Sequence, residues 1–200
     1  FMIATEAFLG VRPAKQYKFL VIASAAGNYF KSGVPAVSIW VSQEYTRAAR
    51  GGTGAAKCGG NYAASLVPHA NAVARGHDQV CFLDAAEHRW IEELGGMNLF
   101  FVFDDGSLVT PPLTGTILPG ITRDSLITLA REEGLTVREE RYAIDQWRAD
   151  AESGRLTETF ACGTAAVVTP VGTVASKDGE FTIGSGGPGQ TTQRLRDKLV

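Results

Sequence analysis

Residues 79–110 read QVCFLDAAEHRWIEELGGMNLFFVFDDGSLVT, a series of short apolar runs with turn signals between them. Strands are expected at Gln79–Leu83, Arg89–Glu93, Asn98–Phe103 and Ser107–Thr110. Asp84-Ala85-Ala86, Gly95-Gly96 and Asp104-Asp105-Gly106 supply the turns, so successive strands fold back on one another as an antiparallel meander. Upstream of this meander, the Gly-rich passage RGGTGAAKCGGNY (50–62) opens into a helix expected over Ala63–Arg75. There Leu66, Ala70 and Val73 recur at helical spacing until Gly76 stops it, which places Lys57 just before a helix. Earlier strands are expected at Tyr17–Ala23 and Ala36–Ser42, where Val37, Ile39 and Val41 alternate with Ser38, Trp40 and Ser42, and Pro35 bars pairing before them.

Downstream, Leu118-Pro119-Gly120-Ile121-Thr122 leads into a helix with Leu126, Leu129 and Ala130 on one face, ending at Gly134. A strand is expected over Leu135–Ile144, then a short helix capped by Asp145 and running to Glu152. Strands follow at Thr157–Phe160, Ala166–Val174 and Glu180–Ile183, and GPGQTTQRLRDKLV closes as a helix. Mostly antiparallel strands with helices set between hairpins define an α+β class, with mixed sheets curling around a core and plain βαβ alternation absent.

The chain has 200 residues, 19 Lys+Arg against 21 Asp+Glu, and is 44% apolar and 20% charged, which describes one folded domain and excludes a disordered, collagen-like or coiled-coil chain. A net charge of -2 gives no basic face for nucleic acid. The longest apolar stretch, Phe19–Gly27, is about half the roughly 20 residues needed to cross a bilayer. The opening FMIATEAFLGVRP lacks a basic leader and an initiator Met, so it reads as mid-chain. Cys58, Cys81 and Cys162 are odd in number and widely spaced, giving no disulfide framework or zinc site, and a reducing cytoplasm is expected. His69, His77 and His88 lie on separate segments as surface or packing residues, and no metal is expected.

Two nucleotide patterns fail. Lys57 is preceded by Ala56 and followed by Cys58 where a P-loop needs Ser or Thr, and the literal GxGxxG at Gly184–Gly189 lies too near the chain end for a second strand to follow. Lys57 itself is flanked by Ala55, Ala56, Cys58 and glycines, so partial burial is expected. Burial lowers an amine's pKa, and a neutral amine attacks a carbonyl; the plain alternative is a snorkelling lysine at a helix start. Glu93 ends an apolar strand before Leu94-Gly95-Gly96, and a buried carboxylate needs a proton or a cationic partner. Gly120-Ile121-Thr122 puts free N–H groups and a hydroxyl at a helix start, suited to phosphate, although capping explains it alone. Cys162-Gly163-Thr164-Ala165-Ala166 offers a second anion nest or a simple hairpin bend. An amine, a carboxylate for a ring nitrogen and two anion nests together are the needs of pyridoxal phosphate.

KCGGNYAASL (57–66), EELGGMNLFFV (92–102), LPGITRDSL (118–126) and FACGTAAVVTPV (160–171) resemble, in order and spacing, the branched-chain amino acid aminotransferases, as does GPGQTTQRLRDKL near the end. The two glycines before Asn61-Tyr62 resemble the actinobacterial and eukaryotic-like branch. That resemblance, to fold-type IV pyridoxal phosphate enzymes, implies the large C-terminal domain, a pseudo-barrel flanked by helices, over residues 1–200. It implies Lys57 as the Schiff-base lysine and proton shuttle, Tyr62 on the cofactor's phenolic oxygen, and Glu93 on its pyridine nitrogen. Gly120, Ile121 and Thr122, with Thr164, would hold the phosphate. Thr164 and Ala165 would receive the substrate carboxylate, and Met97 would line the aliphatic pocket. It further implies ping-pong transamination of leucine, isoleucine and valine with glutamate and 2-oxoglutarate, and a homodimer. A D-amino acid transaminase, an aminodeoxychorismate lyase and an inactive isolated domain stand as alternatives. Family members are longer, with an N-terminal small domain supplying a phosphate-binding arginine that Arg12 does not match; Ala166 and Thr169 stand where mitochondrial relatives carry a redox cysteine pair.

Overall fold

The computed structural model describes residues 1–25 and 36–200, so the reading of Pro35 and the end of the Phe19–Gly27 stretch lie outside the described residues. The expected meander is present: β4 (Gln79–Leu83), β5 (Ile91–Leu94), β6 (Asn98–Phe103) and β7 (Leu108–Thr110) pair antiparallel in chain order. β6 is buried along its whole length because both of its faces are covered. Strand alternation sends Leu99, Phe101 and Phe103 to one apolar cluster, with Trp147, and Phe100 and Val102 to another, with Leu126, Phe160 and Leu195.

The sheet closes on itself. β9 (Leu156–Gly163) pairs with β6 and with β10 (Val167–Ser176); β10 pairs with β3 (Val37–Ser42), and β3 with β4. The circuit β3, β4, β5, β6, β9, β10 is thus a barrel-like ring, with β11 (Gly179–Thr182) on β10 and β8 (Val137–Glu139) on β7 outside it. Trp147 plugs the interior, edge-on to Phe101 at 5.1 Å and to Phe181 at 5.7 Å between ring centroids.

The topology corrects one sequence reading. β3 and β4 are parallel, joined through α1 (Gly59–Ala74), and β7 and β8 are parallel, joined through α2 (Ile121–Glu132), so βαβ crossovers occur twice among otherwise antiparallel strands. Parallel neighbours need such a crossover, and an amphipathic helix supplies it. α1 also turns the other way from its expected apolar face. Asn61, Ser65, Pro68 and Ala72 are buried, whereas Leu66 and Val73 are exposed, because the helix lies close on β4 through small side chains.

Other boundaries move for local reasons. β7 ends at Thr110 because Pro111-Pro112 cannot donate to a ladder, and β8 ends beside it at Glu139 instead of running to Ile144. Ile144 instead begins α3 (Ile144–Ser153), whose cap residue is Ala143, with Asp145 inside the first turn. Tyr17–Phe19 is β2, paired with β1 (Met2–Ala4) in a separate exposed ribbon, and residues 20–23 are not strand. The glycines at 184–189 precede α4 (Gln190–Leu199), and the protein's own Glu158 carboxylate accepts the Thr191 and Thr192 N–H groups at 2.9 and 2.7 Å. That helix start already holds its anion, as a structural cap. Among the described residues, no helix is long and apolar enough to cross a membrane.

Candidate active site

Glu93 sits on β5 with 2% of its surface exposed. One carboxylate oxygen, Oε1, accepts the Leu118 N–H at 3.1 Å and pairs with an Arg47 Nη1 at 2.9 Å. The same Arg47 nitrogen donates to the Thr116 carbonyl at 3.0 Å. Glu92, the preceding residue, accepts the Thr116 hydroxyl. Two neighbouring glutamates therefore grip one short segment, Thr116–Leu118, from below. Burial pushes the Glu93 carboxyl up to about 7; Arg47 and the Leu118 N–H draw it back down, while the charge of Glu92 pushes it further up. Burial also raises Glu92.

The segment continues into α2. The Asn98 amide on β6 donates to the Leu118 carbonyl at 3.1 Å, and a Cβ on Gly120 would stand 2.4 Å from Asn98 Oδ1, so only glycine allows the loop to lie this close. Gly120 caps α2 without a side-chain acceptor, leaving the first-turn N–H groups of Ile121 and Thr122 for an outside anion.

Lys57 reaches the same place from another element. The Asn61 amide, in the first turn of α1, donates to the carbonyls of Thr53 and Ala56 at 2.7 and 2.8 Å and accepts the Thr53 hydroxyl at 2.7 Å. This lashes the loop before Lys57 to the helix. Gly54 in that loop lies against Thr116, where a Cβ would come within 2.4 Å of backbone.

Lys57, Glu93, Gly120, Ile121, Thr122 and Thr164 line a single cavity of about 450 Å³, within the usual range for a small-molecule site. Thr164 comes from the hairpin turn between β9 and β10, so that turn is both a bend and a cavity wall. Lys57 is exposed at this cavity, not partly buried as expected, because Gly59 and Gly60 beside it face open space and the close backbone approach falls at Gly54. Tyr62 is half-exposed beside Gly96, outside the cavity lining, and Ala165 is exposed on the Thr164 turn. Met97 does not line the cavity either; it precedes β6 and turns into the core next to Gly163. Arg12 pairs with Glu6 at 2.7 Å on the exposed N-terminal ribbon.

Sequence reading missed Arg47, Asn61 and Asn98. The sequence leaves Glu93 either a proton or a cationic partner, and Arg47 sits in an ordinary loop far from it in the chain. Asn61, adjoining Tyr62 in the quoted motif, carried a usable signal: an Asn in the first turn of a helix is placed to bind the loop before it.

A closed mixed barrel with an amine, a buried carboxylate and an open helix start around one cavity defines a fold-type IV aminotransferase domain. Residues 2–174 match the amino-transferase class IV family, to which this chain belongs. Within it, the chain is 60% identical over 200 residues to a probable branched-chain-amino-acid aminotransferase of Streptomyces coelicolor, covering 100% of this chain and 55% of that protein. The crystal structure of the Escherichia coli branched-chain amino acid aminotransferase superposes with a TM-score of 0.74 at 37% identity, over 87% of this chain and 54% of that one. The branched-chain amino acid aminotransferase from Thermobaculum terrenum, in its PLP-form, superposes with a TM-score of 0.70 at 32% identity, over 84% of this chain and 50% of that one. The chain thus spans about half the length of the relatives it matches.

Proposed function

We propose that this chain forms the cofactor-binding part of a pyridoxal phosphate-dependent transaminase acting on leucine, isoleucine and valine, with glutamate and 2-oxoglutarate as the partner pair. One observation carries the reading: a single cavity is lined by Lys57, Glu93 and the open start of α2. The donor set fits the cofactor group by group. Glu93 keeps its second oxygen without a partner among the described residues, ready to accept a ring N–H. The α2 start offers the Ile121 and Thr122 N–H groups at its electropositive end, while Arg123 in the same turn is engaged by the Pro111 carbonyl and Glu139. When bound, the cofactor supplies an aldehyde that amines condense with and a ring that draws electrons from the substrate's α-carbon.

The chain's own residues supply the rest. Lys57 holds the cofactor covalently and, once released, carries the proton to and from the substrate's α-carbon. Glu93 keeps the proton on the ring nitrogen. Ile121 and Thr122 N–H groups with the Thr164 hydroxyl bind the phosphate, and N–H groups of Thr164 and Ala165 take the substrate carboxylate. Tyr62, beside Gly96, serves the cofactor's phenolic oxygen. Met97 shapes the pocket only from behind, through Gly163. The relatives' named activity supports branched-chain transamination; ping-pong turnover by a cytoplasmic homodimer completes the proposal. The test is to assay the full-length protein side by side on L-leucine, D-alanine and aminodeoxychorismate. Oxo-acid-dependent turnover of L-leucine is expected; turnover of D-alanine alone or of aminodeoxychorismate alone overturns the assignment.

A further inference from the structure

We propose that Arg47 is a positioning residue that keeps Glu93 ionised and so holds the cofactor's proton on the pyridine nitrogen. The inference rests on the function proposed above. Its geometric basis is the buried ion pair of 2.9 Å, in which both side chains are about nineteen-twentieths covered or more, and the second bond of the same Arg47 nitrogen to the Thr116 carbonyl at 3.0 Å.

A carboxylate facing a pyridine nitrogen shares one proton with it along a single hydrogen bond. The proton sits either on oxygen, leaving both groups neutral, or on nitrogen, giving carboxylate and pyridinium. Water ordinarily stabilises such a charge pair, but here the acid is shut away from it. Apart from Arg47 and the Leu118 N–H, the surroundings of Glu93 favour the neutral acid. Glu92 on the same strand and the thiols of Cys81 on β4 and Cys162 on β9 add no positive charge, and Lys57 faces the same cavity from its mouth. Arg47 is the cation in direct contact, and each unit by which it lowers the carboxyl's proton affinity moves the proton about tenfold toward nitrogen. Because Arg47 binds Oε1, which also takes the Leu118 N–H, the other oxygen is left to the ring. The Thr116 contact fixes the guanidinium in place beside Oε1.

The test uses the full-length enzyme reconstituted with pyridoxal phosphate labelled with ¹⁵N in the ring. In the parent enzyme the nitrogen resonance should be that of pyridinium across the neutral range. Arg47→Gln should move it toward neutral pyridine and lower kcat by roughly tenfold or more, with little change in KM; Arg47→Lys should restore both. An Arg47→Gln enzyme that keeps the full pyridinium signal overturns the proposal while leaving the transaminase reading intact. A parent enzyme that takes up no cofactor overturns that reading itself. Should Arg47→Gln fail to fold because it strands a buried carboxylate, the pair Glu93→Gln and Arg47→Gln/Glu93→Gln decides. The two should have equal kcat, since Arg47 acts only through the acid; a further loss in the double variant contradicts the proposal.

Discussion

Glu93 shows how one residue can be costly to the fold and useful to the site. Its carboxyl is driven to about 7 by burial, against 4.5 when free. In the cofactor-free protein, the unfolded chain releases this proton above about pH 4.5 while the folded one keeps it until about 7. Stability therefore falls as pH rises through that window, by up to about 3 kcal/mol. Glu92, raised for the same reason, acts in the same direction. Urea denaturation of the cofactor-free protein at about pH 5 and about pH 8 should show the loss, and Glu93→Gln should reduce it; stability that climbs over this interval, or a slope untouched by the substitution, contradicts the assignment. The existence of a buried acid at this position was legible from its apolar strand and the glycines after it. Its partner was not, because Arg47 is brought to it by the closure of the barrel and not by any local spacing.

At the scale of elements, the loop Thr116–Gly120 is the point where three pieces of chain meet: the lysine loop through Gly54, the acid strand β5 through Glu92 and Glu93, and β6 through Asn98. Two glycines make this contact possible, and neither works by an unusual backbone angle. Gly54→Ala forces Thr116 backbone to shift and should cost about 1–3 kcal/mol, the usual range for overpacking, read as a lower denaturation midpoint. Gly120→Ala pushes Asn98 off the phosphate-binding turn, and titration with pyridoxal phosphate should show at least about tenfold weaker binding, the scale of one lost charge-assisted hydrogen bond. Unchanged affinity would remove the turn from the site. The strands of the meander were readable because turn residues bracket each of them. The inward face of α1 was not, since a helix lying close on a strand selects Ser65 and Ala72 over Leu66 and Val73, inverting the usual apolar stripe.

Across the whole molecule, closure of the ring β3–β4–β5–β6–β9–β10 sets Lys57 and Glu93 around one space, and the barrel interior keeps them there. Trp147 fills that interior without touching the cavity, so Trp147→Ala should cost about 3–5 kcal/mol while leaving the cofactor's spectrum in the surviving folded fraction unchanged. The parallel crossovers escaped sequence reading because turn residues report only pairing between strands joined by a tight turn, whereas β3 and β4 pair across α1, and β7 and β8 across α2. The central claim is that the amine of position 57 is the group that binds the cofactor. Borohydride reduction of the full-length enzyme followed by peptide mass mapping tests it directly: the phosphopyridoxyl adduct is expected on Lys57 and absent from Lys57→Ala, and an adduct on any other lysine contradicts the account.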